Sequence, residues 1–239
     1  MGKLLIIKTG PTLDAVKEKY GEFEDLVISK IGINREDIRV ISVYKNEAPY
    51  LPENTSGVII SGSKEMVTEE AAWMKVTAAW IRSLVSKEIP ILGICFGHQL
   101  LGYAFGGKVG YHPKGPEYGQ CKIWIVDQVE KDPIFHDFPK EFLGYVAHYQ
   151  SILELPKDAR VIATGNHESY HGVKFGKYIW GVQFHPEFNS EIACFHLKNQ
   201  EKELRHRGYP MEELYGTIKE EDYGQLILQR FYKFGEQRL

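Results

Sequence analysis

The stretch from Ile89 to Phe105 constrains this chain most. Its first part, Ile89-Pro90-Ile91-Leu92-Gly93-Ile94, is short, apolar and β-branched, which reads as a buried strand. From His98 onward the apolar residues fall at Leu100, Leu101, Ala104 and Phe105, which is helical spacing. Between the two lies Gly93-Ile94-Cys95-Phe96-Gly97, the Gly-x-nucleophile-x-Gly pattern of a strand-to-helix elbow with cysteine in the serine position. So sharp a turn strains the backbone at the nucleophile, and neighbouring Cβ atoms would clash with the adjacent strand and helix. The turn aims the sulfur at the first turn of a helix, whose unpaired N–H groups favour a thiolate. Taken alone, the pattern leaves Cys95 either a nucleophile or a small buried hydrophobe.

An elbow needs a sheet, and the preceding segments supply one. Residues 4–7, 38–43 and 57–60 read as buried strands. Residues 15–31 read as a mixed helical region, and 69–86 as a helix with Trp73, Val76, Trp80, Ile81 and Leu84 on its core side. This order is that of an α/β, doubly wound, mostly parallel sheet of flavodoxin-like type, in which ligands bind beyond the carboxyl ends of the strands. Ser61-Gly62-Ser63 and Cys95 both fall at such ends. After Gly106-Gly107 the character changes. A strand from Lys122 to Val126, ending near Asp127, alternates. Residues 142–155 and 160–164 look like further strands, and Gly176-Lys177 separates two strand-like runs as a hairpin turn. This section is expected to be antiparallel and to flank the parallel sheet. Asn189 can cap a helix running to about Arg207, which Tyr209-Pro210 ends. Residues 211–223 are polar and irregular, and a last helix covers 225–234. The chain is expected to form one domain over residues 1–239, with about 208–239 as a C-terminal helical extension.

A nucleophilic cysteine needs a base, and the base an orienter. Gln183-Phe184-His185-Pro186-Glu187 follows a strand, and Pro186 keeps His185 extended. Residues two apart in an extended stretch project to the same side, so Glu187 can hold the His185 ring with its other nitrogen toward Cys95. The bland alternative is a turn histidine beside a solvated glutamate; the elbow tips the choice to a triad. The Phe96 N–H, directly after the nucleophile, is one oxyanion donor, and the N–H of Gly62 or Ser63 is a second. His148-Tyr149-Gln150-Ser151 is polar among apolar strands; it either lines the pocket or is an ordinary bend. His167-Glu168-Ser169-Tyr170-His171 matches the His-Glu-x-x-His zinc pattern. That pattern needs a helix, and Gly165-Asn166 before it and Gly172 after it mark a connection between strands instead.

Composition removes other classes. Net charge is −3 with 26% charged residues, so no strong field points to nucleic acid or an anionic membrane. Three cysteines form no disulfide framework, and the opening apolar run is too short for a signal core or a membrane span. A cytoplasmic protein is expected.

Gly93-Ile94-Cys95-Phe96-Gly97-His98-Gln99 together with Phe184-His185-Pro186-Glu187 resembles the class I (triad) glutamine amidotransferases. Within them it is similar to stand-alone proteins like the amidotransferase domain of GMP synthase. The resemblance spans roughly residues 4–207. It implies glutaminase chemistry with Cys95, His185 and Glu187 as the triad, an oxyanion loop at Gly62-Ser63, and substrate contacts from Gln99 and from His148, Tyr149, Gln150 and Ser151. It also implies no metal and no organic cofactor. The substrate would be glutamine or a γ-glutamyl small molecule. The ammonia would go to a separate synthetase or, in the manner of γ-glutamyl peptidase relatives, a γ-glutamyl bond would simply be hydrolysed. A catalytically silent binding module is the third possibility. The loop departs from the commoner Ser-Gly-Gly-Pro form, with Ser63 and Lys64 in place of Gly and Pro. No Gly-rich phosphate loop ending in Lys-Ser/Thr is present.

Overall fold

Strand β1 (Lys3–Lys8) carries Leu4, Leu5, Ile6 and Ile7 fully buried in succession, which requires both faces of its sheet to be covered. In the computed structural model, which describes residues 2–126, 129–220 and 223–239, the cover comes from two sides. Leu4 and Ile6 pack with Val27 and Ile31 of α2 (Phe23–Ile31) and with Ile227, Leu228 and Phe231 of the last helix. Leu5 and Ile7 point the opposite way, against Met74, Ala78 and Ile81 of α3 (Ala72–Leu84). The period-two alternation of a strand thus divides one apolar run between two cores.

The remaining elements run α1 (Asp14–Tyr20), β2 (Ile38–Ser42), β3 (Thr55–Ile60), β4 (Ile91–Ile94), α4 (Phe96–Ala104), β5 (Lys108–Tyr111), β6 (Glu117–Ile125), β7 (Glu141–His148), β8 (Gln150–Glu154), β9 (Arg160–Gly165), β10 (Gly172–Gly176), β11 (Ile179–Val182), α5 (Ser190–His206), α6 (Met211–Thr217) and α7 (Tyr223–Glu236). The main sheet has the order β2-β1-β3-β4-β11-β10-β9-β6-β7. Its first five strands are parallel, and the rest are antiparallel. The α/β, doubly wound architecture is therefore as expected, and the antiparallel section continues the same sheet past β11. Strand β11, late in the chain, sits at its centre beside β4.

Other local elements differ from expectation. The β7–β8 segment bends at Tyr149, so β8 leaves the main sheet and pairs with β5, a strand too short and half-exposed to read from sequence. Residues 211–217 form helix α6, whose Met211 is buried against Leu204 and Tyr118; tertiary packing overrides the polar composition there. The residues after 207 do not stand apart from the core, since Phe231 of α7 is fully buried on the sheet. Asn189 caps α5 as expected, accepting from the Ile192 N–H at 2.8 Å. The expected strand end at Asp127 lies outside the described residues. Among the described residues no helix is long and apolar enough to cross a membrane.

Candidate active site

Cys95 occupies the corner between β4 and α4 with φ +50° and ψ −101°, a conformation that costs a non-glycine residue about 1–3 kcal/mol. The surroundings enforce it. The Cys95 N–H donates to Val182 O at 2.8 Å, continuing the β4–β11 ladder by one residue. A Cβ on Gly97 would run into the Ile60 carbonyl of β3, and one on Gly93 into the backbone of Gly97. Gly97→Ala is expected to destabilise the protein by about 1–3 kcal/mol, because the obstructing atoms are sheet backbone and cannot rotate aside; a urea unfolding titration measures it. The Cys95 side chain makes no capping hydrogen bond to α4, and the Phe96 N–H stands in the first turn of that helix, next to the nucleophile.

The β4–β11 register brings the second motif to the same place. Ile94 pairs with Val182, so the chain beyond β11 emerges beside Cys95. Gln183 Nε2 donates to Cys95 Sγ at 3.5 Å. His185 is buried, and its Nδ1 hydrogen-bonds Glu187 Oε1 at 2.8 Å. The Cys95 sulfur lies near enough to act on the charge of the same ring, and with Nδ1 taken by Glu187, Nε2 is the nitrogen left for the sulfur. Phe188 stacks on the imidazole at 4.3 Å between centroids, with the planes 11° apart, and Phe23 lies on the parallel plane at 6.5 Å. The ring plane is thereby fixed. Burial opposes a positive charge on His185, but the Glu187 carboxylate and the Cys95 sulfur outweigh it and push its pKa up to about 10. Cys95, Phe96, Gln99, Ser63 and His185 all line one cleft.

The sequence model of the glutamine amidotransferase class-I family matches residues 16–202. The chain belongs to that family. Among characterised proteins, it is 32% identical over 189 residues to gamma-glutamyl peptidase 2 of Arabidopsis thaliana, covering 78% of this chain and 76% of that protein. It is also 32% identical over 168 residues to a subunit of the glutamine-hydrolyzing GMP synthase of Saccharolobus solfataricus, covering 70% of this chain and 85% of that protein. The crystal structure of a glutamine amidotransferase from Thermotoga maritima superposes with a TM-score of 0.75 over 98% of both chains. At 21% identity that likeness speaks to the fold alone.

This class-I amidotransferase chain places the other expected residues unevenly. Thr9 Oγ1 donates to the Ser61 and Gly62 carbonyls at 2.9 and 3.1 Å. With the Gly62 carbonyl held toward Thr9, the Ser63 N–H of the same trans peptide points the opposite way. A Cβ on Gly62 would touch the His185 ring at 3.2 Å, so the loop lies against the imidazole. The substitution of Ser63 for glycine is accommodated by its hydroxyl, which donates to Thr9 O at 3.0 Å and accepts from the Glu65 N–H at 3.1 Å. Gln99 spends its amide nitrogen internally, on Gln150 O at 2.6 Å and Gln183 Oε1 at 3.0 Å. His148, Tyr149 and Gln150 line the cleft. The His148 ring is turned to Glu117, and Ser151 is fully buried and does not reach the cleft wall.

Two residues near the nucleophile have roles not evident from sequence. Gln183 is fully buried and links Gln99 to the sulfur; its one signal is its place two residues before His185 on an extended segment. His196 of α5 lines the cleft. Burial and the neighbouring His185 lower its pKa to about 4, so it stands neutral beside a charged imidazole.

Proposed function

We propose that this protein hydrolyses the side-chain amide of glutamine through a γ-glutamyl thioester on Cys95, and that the ammonia serves a separate synthetase. The observation that carries the reading is the buried chain of Glu187, His185 and Cys95 at one end of a cleft. The Cys95 sulfur attacks the amide carbon. The Phe96 N–H and the Ser63 N–H are the donors for the charge that develops on the carbonyl oxygen. His185 gives its proton to the departing nitrogen, which leaves as ammonia. A water then loses a proton to His185 and adds to the thioester, and glutamate is released with the thiolate restored. Glu187 holds the ring and offsets its charge throughout. Gln183, donating to the sulfur, keeps it aimed between the ring and the oxyanion donors.

A second reading is favoured by the apolar part of the cleft wall. Pro11, Leu13, Val16 and Phe23 line the same cleft as Cys95, a surface suited to a leaving group larger than ammonia, as a γ-glutamyl peptide would have. A substrate panel separates the two readings. Glutamate release is expected from glutamine, stimulated by an added synthetase, with no aspartate released from asparagine. Preference for γ-glutamyl peptides selects the second reading. No glutamate from any γ-glutamyl compound, with or without a synthetase, overturns both.

A further inference from the structure

Beside the cleft, three donor side chains converge where the reaction has no use for them, and His148 of the cleft wall bonds one of them. Glu117 and Cys121 lie four residues apart on β6 and so share a face. His148 ends β7 directly opposite Glu117, and His171 closes the connection between β9 and β10. Cys121 Sγ is 3.5 Å from His171 Nε2. Glu117 Oε2 is 3.7 Å from that nitrogen and 3.0 Å from His148 Nε2. The donor atoms of Glu117, Cys121 and His171 all fall within 4.8 Å of one another.

Hydrogen bonding satisfies only part of this cluster. His148 Nδ1 faces the Gln150 carbonyl at 3.1 Å; a carbonyl only accepts, so Nδ1 carries the hydrogen. Nε2 of the same ring lies 3.0 Å from Glu117 Oε2, the distance of a hydrogen bond between them. Among the described residues, His171 Nδ1 and Glu168 Oε2 are buried and have no partner.

We propose that Glu117, Cys121 and His171 form a binding site for a zinc-type divalent cation. A tetrahedral Zn²⁺, with bonds of about 2.3 Å to sulfur and about 2.0 Å to nitrogen, holds those two atoms about 3.5 Å apart, as Cys121 and His171 already stand. One thiolate, one imidazole and one carboxylate are a donor set for zinc rather than for magnesium or calcium. Metal entry forms the metal–sulfur bond as the thiol proton leaves to solvent. Three protein ligands leave the fourth position to a water. The site ties β6 to the β9–β10 connection, and His148 of β7 bonds the Glu117 ligand from the side of the cleft. Of the His-Glu-x-x-His segment only His171 is a ligand. Glu168 accepts from the Tyr170 N–H at 2.7 Å, and His167 bonds Gly115 O at 2.9 Å and stacks on His112 at 4.2 Å.

The test uses the whole chain carrying Cys95→Ala, so that the cleft thiol cannot contribute. After chelator treatment, titration with Co²⁺ alone is expected to bind one equivalent and give a thiolate-to-cobalt charge-transfer band, which Zn²⁺ then bleaches. Added to that background, Cys121→Ser is expected to abolish the band and weaken Zn²⁺ binding about a hundredfold or more, and His171→Gln to weaken it similarly. Zn²⁺ is expected to raise the Tm of the Cys95→Ala protein and of neither double variant. No band and no Tm rise in the Cys95→Ala protein overturns the proposal. So does a band that survives Cys121→Ser. Because the first outcome needs only the protein with all three donors intact, a variant that failed to fold would not shelter the idea.

Discussion

Cys95→Ala is expected to lower glutamate release by about 10⁴-fold or more, with the fold intact. The sulfur is the only protein atom in the proposed sequence that bonds to the substrate carbon, so nothing nearby substitutes for it. Residual turnover would come only from water attacking a carbonyl held by the Phe96 and Ser63 N–H donors. Stability should move independently of activity, because Cys95 holds φ +50°. Alanine keeps that conformation's cost, whereas Cys95→Gly removes it. Cys95→Gly is therefore expected to be equally inactive yet more stable than Cys95→Ala, by about 1 kcal/mol. Matched urea titrations and a coupled glutamate assay on the two variants read both numbers. Glutamate release retained in either variant would sink the thioester route.

The second large effect is expected at the base. His185→Ala should lower turnover by about 10³-fold or more, since it removes both the proton donor for the leaving nitrogen and the base for the second step. Glu187→Gln is more informative. It keeps the side chain's size and removes the charge that, with Cys95, outweighs the burial of His185. In the wild type the His185 pKa is raised from 6.5 to about 10, so the imidazolium survives through neutral pH. In Glu187→Gln the basic limb of the rate profile should move to lower pH, together with a fall in kcat. The sign for stability follows by linkage. A group with a raised folded pKa contributes stability that is complete below its unfolded pKa and lost as pH rises through the folded one. The wild type should therefore lose Tm between about pH 7 and 10, and Glu187→Gln should lose less over that window. Identical pH dependence in the two proteins would show that Glu187 does not set the charge of His185.

The elbow is legible in the sequence because Gly93 and Gly97 answer a local need, namely close approach of α4 to β3 and β4. His185 and Glu187 are legible because a two-residue spacing on extended backbone is local too. What escapes is decided at long range. Helix α6 exists because Met211 finds Leu204 and Tyr118, and no window of residues 211–223 shows that. Strand β8 abandons the main sheet for β5, a partner that offers only four residues, none of them buried. Ser151 follows β8 inward and leaves the cleft. Gln99 looks free to meet a ligand from sequence, because its partners come from far along the chain: Gln150 from β8 and Gln183 from the residue just past β11.

The central position of β11 has one more consequence. Eighty-eight positions separate Cys95 from the Gln183 that touches it, and the two meet only when β11 slots between β4 and β10. During synthesis β4 is complete long before β11 emerges. Until then it is an open, apolar strand margin that invites pairing with foreign chains, and closing so long a loop is slow. The nucleophile thus spends its early life without a base, and the reagent is armed by the same event that seals the sheet. A chain stalled before residue 179 should be both inert and prone to aggregate.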